Sequence, residues 1–109
     1  MIIQEIPFDV VDWDSITEET IQGTEGHGTR KAVQLNKITL AKVTYSKGYI
    51  ADHWCEKGHI IHVLEGTYIM ETKDGERREV EAGQTLHVSD EQNSHRSVTD
   101  TGVSLFIIE

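Results

Sequence analysis

The 109-residue sequence lacks most of the features that mark membrane-spanning, disulfide-bonded or multidomain proteins. No apolar run approaches the roughly 20 residues that cross a bilayer, and the N-terminus has neither the basic start nor the apolar core of a secretory signal. A single cysteine excludes an internal disulfide, and a single proline, with no low-complexity stretch, leaves no recognisable linker. We therefore predict one cytoplasmic domain spanning residues 1–109, with no membrane partner.

Positive charge is scarce, and it is missing from the N-terminal part of the chain. Residues 1–29 contain seven acids and no Lys or Arg, whereas residues 30–109 contain twelve acids and ten bases. The formal net charge of −9 repels phosphate backbones, and the largest basic cluster is the pair Arg77-Arg78. Nucleic acid is therefore not an expected partner, and residues 1–30 are interpreted as a distinct acidic N-terminal segment.

Short runs rich in β-branched and aromatic residues make up much of the remaining sequence, and glycines separate them. Asp74-Gly75 between two runs is a strong hairpin signal because that turn requires positive φ. Gly66 and Gly83 are also interpreted as boundaries between runs. A short helix is expected only over residues 14–22. The pattern predicts an all-β barrel or sandwich with at most one short N-terminal helix, and its strands are 38–45, 60–64, 67–72, 84–89 and 103–108.

The stretch ADHWCEKGHIIHVLEG contains three histidines and the only cysteine of the chain. If ADHWC is extended, His53 and Cys55 face the same side, because side chains alternate along a strand. The residues EKG would then form a hairpin loop, and Cys55 and His59 would flank it with Cβ atoms about 5 Å apart. Side chains at this spacing can converge on one metal ion. We therefore predict His53, Cys55 and His59 as metal ligands.

The other histidines call for different interpretations. His62 lies three residues after His59, and on a strand this spacing turns it to the opposite face. His62, His27 and His87 are interpreted as ordinary hydrogen-bonded residues rather than ligands. His95 follows a strand-like run and a polar turn, which makes it the best fourth donor. The alternative for His95 is a solvated loop residue.

These residues lie in a frame that resembles the cupin superfamily from residue 48 to the C-terminus. GYIADHWCEKGHIIHVLEG (48–66) resembles the first cupin motif, with cysteine in place of the second histidine and histidine in place of the acidic ligand. GQTLHVSDEQNSHRSVT (83–99) resembles the second motif, which ends in a ligand histidine. The DHWC sequence is also similar to a small bacterial group of cupins named for an Asp-His-Cys-Trp motif. The ligand positions of the two motifs correspond to His53, Cys55, His59 and His95.

The resemblance implies a single-domain double-stranded β-helix, or jelly-roll barrel. It also implies one divalent transition metal ion held by the four residues that occupy the ligand positions. Thiolate and imidazole donors suit Zn, Fe, Ni or Cu, and zinc is the first expectation. Four bound residues would close the shell, whereas an unligated Cys55 would leave it open for water or substrate.

Two functions fit this frame. The first is a metal-dependent enzyme acting on a small carboxylate- or hydroxyl-bearing molecule, for which Arg96 could hold a carboxylate instead of being a solvated charge. The second is a non-catalytic cupin that binds a small molecule or metal and has a closed, structural metal site; a cupin without metal is a third alternative. The resemblance also favours a homodimer, and Phe8, Trp13 and Trp54 are candidates to be covered by the second subunit.

Overall fold

The computed structural model describes residues 3–91 and 93–109, and its described residues are mostly β-structure. Met1, Ile2 and Gln92, which belong to the predicted acidic segment and polar turn, lie outside the described residues. One turn of 3-10 helix, Trp13–Ser15, precedes the strands. The strands in chain order are β1 (Glu19–Gln22), β2 (His27–Leu35), β3 (Ile38–Tyr45), β4 (His59–Thr72), β5 (Arg77–Glu81), β6 (Thr85–Val88), β7 (His95–Val98) and β8 (Val103–Ile108).

The strands form two antiparallel sheets that share β4. In the first sheet the order is β1-β2-β3-β8-β4, and β6 pairs with the N-terminal part of β4. In the second sheet the C-terminal part of β4 lies between β5 and β7. Isolated bridges join Ile50 to Val98 and Cys55 to His95, so the 50–55 segment runs beside β7. This arrangement confirms the predicted all-β barrel.

Gly66 is the point at which β4 passes from one sheet to the other. It has a φ of +82°, and a Cβ there would lie 2.1 Å from the carbonyl oxygen of Gly102. The pairing of β4 with β8 shifts register between Val63 and Glu65, immediately before this glycine. The predicted boundary at Gly66 is therefore wrong: the glycine bends a single 14-residue strand instead of separating two strands.

The core lies between the two sheets and follows the alternation expected of strands. Ala41 and Val43 of β3, with Leu105 of β8, are at most 3% exposed. In β4 the inward residues are Ile61 and Val63 before the bend and Tyr68 and Met70 after it. The inward set thus changes from odd to even residue numbers across the register shift. This core forms the base of the barrel cavity described below.

Two local predictions had different outcomes. The Asp74-Gly75 hairpin is confirmed, since it joins β4 to β5 and Gly75 has a φ of +97°. The helix predicted over residues 14–22 is wrong, because only Trp13–Ser15 is helical and Glu19–Gln22 forms β1. Hydrogen bonding to β2 outweighs the weak local helix signal there.

The three aromatic residues expected at a subunit interface have different surroundings. Phe8 is fully exposed. Trp13 packs edge-on against Phe106, with ring centroids 6.3 Å apart, and is partly buried within the chain itself. Trp54 is also partly buried. Among the described helices, none has the length and apolar character to cross a membrane.

Candidate metal centre

Cys55 and His95 are brought together by main-chain pairing. The backbone N–H of Cys55 donates to the carbonyl of His95 over 2.7 Å, and the reverse hydrogen bond measures 2.9 Å. The hairpin predicted to place Cys55 opposite His59 is therefore wrong. The segments ADHWC and HIIHVLEG do not pair with each other, because β4 pairs instead with β6 and β8 at this point.

The side chains of Cys55, His59 and His95 nevertheless converge. Their potential ligand atoms all lie within 4.8 Å of one another. Cys55 Sγ is 3.8 Å from His59 Nε2. A tetrahedral zinc ion with ordinary Zn–S and Zn–N bonds would separate such atoms by about 3.6 Å. The spacing therefore suits a shared metal ion.

Glu109 contacts the other ring nitrogen of His59. His59 Nδ1 lies 2.7 Å from Glu109 Oε2, and the two side chains are 14% and 15% exposed. The contact with His59 is the main cause that lowers the pKa of Glu109. A carboxylate on one ring nitrogen fixes the tautomer and leaves the other nitrogen free to bind a metal. Glu109 thus orients Nε2 of His59 towards the cluster.

His95 has the same division of roles between its ring nitrogens. Its Nδ1 lies 2.8 Å from the carbonyl oxygen of Asn93, to which it donates in the neutral tautomer. Its Nε2 is buried and has no hydrogen-bond partner among the described residues. Burial is the main cause that lowers the pKa of His95, so the ring is neutral near pH 7. A buried lone pair without a partner is costly unless something binds it.

His53, the fourth predicted ligand, is not in this cluster. Its side chain is 78% exposed, and its Nδ1 lies 2.6 Å from Asp52 Oδ1. It does line the same cavity as the three clustered donors. The structure therefore brings together three of the four predicted residues and leaves His53 at the edge.

The remaining histidines lie away from the cluster. His62 is on the outer face of β4, as predicted, and its Nδ1 is 2.8 Å from Thr85 Oγ1. His27 and His87 are exposed. The structure gives none of the three a place beside Cys55 and His95.

Arg96 is partly buried and is already paired. Its Nη2 donates to Glu71 Oε1 over 2.9 Å, and its guanidinium carbon lies 4.5 Å from the ring centroid of Trp54. Stacking of this kind holds the segment that carries Trp54 and Cys55 against β7. Arg96 therefore supports the position of Cys55, and its suggested role in binding a carboxylate stays a prediction.

A cavity of about 240 Å³ adjoins the three donors. Its wall is formed by side chains of six strands, β1 to β4, β7 and β8, and by the 49–55 segment. The residues beside the donors are Arg30, Tyr45, Tyr49, Tyr68, Arg96, Ser97 and Glu109. The volume is below the roughly 300–1,000 Å³ of pockets for drug-sized ligands, so it suits a small molecule.

Comparison with solved structures identifies the fold. No protein-family model and no curated protein matches the sequence. Among solved structures, an RmlC-like cupin from Shewanella frigidimarina is similar, with a TM-score of 0.69 and 19% identity over 96% of this chain and 92% of its own. The chain has the cupin fold.

Two further structures support this assignment of the cupin fold. A predicted oxalate decarboxylase from Thermotoga maritima has a TM-score of 0.75 and 18% identity, over 92% of this chain and 96% of its own. A polyketide cyclase from Streptomyces resistomycificus has a TM-score of 0.75 and 19% identity, over 94% and 78%. At these identities the likeness establishes the fold, and neighbours of this fold include enzymes of different kinds.

Two residues of this cupin site were missed from the sequence. Glu109 directly follows β8 and continues the inward alternation of Val103 and Leu105. Strand parity alone could therefore have predicted that its side chain faces the cavity. Tyr68 could not be placed by parity, because the register shift before Gly66 reverses the inward face of β4. No local signal in the sequence marks that shift.

Proposed function

We propose that this cupin binds one divalent transition metal ion through Cys55 Sγ, His59 Nε2 and His95 Nε2. The observation that carries the proposal is the buried Nε2 of His95, which has no partner among the described residues and lies in the cluster of three donors. The backbone N–H of Lys57 lies 3.4 Å from Cys55 Sγ and would donate to a metal-bound sulfur.

The donor set limits the choice of metal. One thiolate and two imidazoles favour Zn, Fe(II), Ni or Cu over Mg and Mn, and zinc is our first assignment. Metal-bound thiolates persist where the cell keeps thiols reduced, so the proposal fits a cytoplasmic protein. A neutral His95, with Nδ1 donating to Asn93, matches the protonation state that a ligand requires.

Three protein ligands would leave one coordination position unfilled, and the three donors line a cavity, which together favour an enzyme. Zinc sites with three protein ligands use the fourth position for water or substrate. A metal ion bound there would supply Lewis-acid chemistry to a small carboxylate- or hydroxyl-bearing molecule. The chain's own residues would position that molecule against the cavity wall.

The second candidate is a closed structural site, and the position of His53 favours it. His53 lines the same cavity, and a closed site would require its ring to leave Asp52 and turn towards the cluster. Four bound side chains would leave no position for substrate. The site would then stabilise the barrel instead of catalysing a reaction.

Elemental analysis of the purified protein and its variants tests these proposals. We expect one equivalent of metal in the wild type and none in His95→Ala or His59→Ala. His62→Ala is the matched control because His62 lies on the outer face of the same strand as His59. Full occupancy in His95→Ala would refute the site. Loss of metal in His53→Ala would favour the closed site, and retention would favour the open one.

We also infer a homodimer. The support is an exposed apolar N-terminal segment, in which Ile3 is 58%, Phe8 108% and Val10 86% exposed. Single-chain proteins seldom leave a row of such side chains in water. Light scattering measures the mass directly, and a monomer at all protein concentrations would contradict the inference.

A further inference from the structure

Two hydrogen-bonded hydroxyl groups line the cavity beside the three donors. Tyr68 is 0% exposed, and its hydroxyl lies 2.8 Å from Ser97 Oγ. Ser97 is two residues from His95 on β7, and both side chains line the cavity. Tyr68 and Ser97 therefore form a hydroxyl pair next to the proposed metal ligands.

The hydroxyl pair has one proton to spare. Two hydroxyls carry two protons, and the hydrogen bond between them uses one. Burial is the main cause that raises the pKa of Tyr68, so its proton is retained near neutral pH. A buried O–H without an acceptor costs free energy, which a ligand oxygen in the cavity would recover.

The charges around the cavity limit what this ligand can be. Arg30 lies 3.5 Å from Glu109, and Arg96 lies 2.9 Å from Glu71, so each cation already has a carboxylate partner. A divalent ion with one thiolate and two neutral imidazoles keeps a net charge of +1. A ligand with a single negative charge would neutralise this site.

We propose that the cavity binds a small monoanion with two oxygen atoms, such as a carboxylate or an enolate, and that the Tyr68 hydroxyl selects it. One oxygen would occupy the open metal position, and the other would accept the spare proton of the Tyr68–Ser97 hydroxyl pair. This inference rests on the proposed metal site. It goes further because it names Tyr68 as a specificity-determining residue and gives the ligand its charge and its acceptor atom.

The test uses the cobalt(II)-loaded protein, with acetate and imidazole as probes. Each probe is titrated while the visible spectrum of the cobalt is followed, and cobalt content is measured for every variant. In Tyr68→Phe we expect acetate binding to weaken at least tenfold, the range expected for a hydrogen bond to a charged oxygen. Imidazole has no second acceptor for the hydroxyl, so its affinity should change less than twofold.

Thr44→Val is the matched control, because it removes a hydroxyl from the outer face of the barrel. Thr44 is exposed, does not line the cavity, and its Oγ1 lies 3.3 Å from Ser104 Oγ. Acetate affinity should therefore stay within twofold of wild type in this variant. Should Tyr68→Phe fail to fold, Ser97→Ala tests the same hydroxyl pair, and it should weaken acetate by a smaller factor than the Tyr68 change because Tyr68 loses only its orienting partner.

The outcomes separate the two proposals. A wild-type protein that holds one cobalt but shows no response to acetate overturns the ligand inference and leaves the metal site intact. Equal weakening of acetate and imidazole in Tyr68→Phe also overturns it, since the residue would then act only through packing. A wild-type protein that binds no cobalt overturns both proposals together.

Discussion

Replacing Glu109 by glutamine should weaken metal binding without removing any proposed ligand. The carboxylate lies 2.7 Å from His59 Nδ1, and both side chains are at most 15% exposed. Water therefore screens this contact little, and the charge makes His59 Nε2 a better donor. The substituted side chain would keep the shape of the glutamate but lose its negative charge.

The size of the effect follows from comparable contacts behind metal ligands. Their loss reduces metal affinity by roughly 10- to 100-fold, or about 1.4 to 2.7 kcal/mol. We expect a change in this range for Glu109→Gln and a larger loss for His59→Ala. The smaller effect of the glutamine variant reflects that Nε2 of His59 is still present.

Competition with a chromophoric chelator measures the affinity for cobalt(II) or zinc at neutral pH. Glu79→Gln is the matched control, because Glu79 lies in β5 and is exposed. Strand β5 pairs with the C-terminal half of β4, whereas His59 is the first residue of β4. The control removes the same charge at a distance from His59, so the metal affinity should change less than twofold. A folded Glu109→Gln protein that binds metal as tightly as wild type would refute the orienting role of Glu109.

Three further predictions concern the barrel and the segment that carries the cysteine. Gly66→Ala should lower the free energy of unfolding by about 3 kcal/mol or more, and Gly75→Ala by only about 1 to 2 kcal/mol. Both glycines have positive φ, but only at Gly66 would a Cβ lie 2.1 Å from a backbone oxygen. Equal losses measured by urea denaturation would contradict this steric explanation. The pKa of Asp74 is lowered mainly by its hydrogen bond from the Thr72 hydroxyl, so its contribution to stability is present above its ordinary pKa and is lost as pH falls through the lowered one. The melting temperatures of wild type and Asp74→Asn should therefore differ at pH 6 and converge below pH 3.8, and a constant difference would contradict this. Trp54→Leu should speed hydrogen exchange at the Cys55 amide by removing the stack with Arg96, and unchanged exchange would show that the bridge to β7 holds the segment alone.

The fold was largely predictable because alternation along strands is a local property of the sequence. The limits of β3 and β8 match the predicted runs 38–45 and 103–108. Strand β2 was not predicted, since its polar residues at Thr29, Arg30 and Lys31 hide the alternation. Its formation depends on pairing with β1 and β3, which no short window of sequence contains.

The site was predictable in its residue types but not in its geometry. Cys55 and His59 are four residues apart, and a hairpin was the simplest local way to bring them together. The structure uses a long-range bridge from Cys55 to His95 instead. That bridge leaves His53 at the cavity edge, because the intervening residues bend outward instead of continuing as a strand. Parity rules hold only within a regular strand, and residues 51–58 do not form one.

The central claim is that one metal ion is bound by one sulfur and two imidazoles. X-ray absorption at the metal edge of the zinc-loaded protein tests it directly, because sulfur and nitrogen ligands differ in distance and scattering. The account predicts one sulfur at about 2.3 Å and nitrogen or oxygen ligands at about 2.0 to 2.1 Å, with the sulfur lost in Cys55→Ser. A spectrum with nitrogen and oxygen ligands only, or a protein that retains no zinc, would contradict the account.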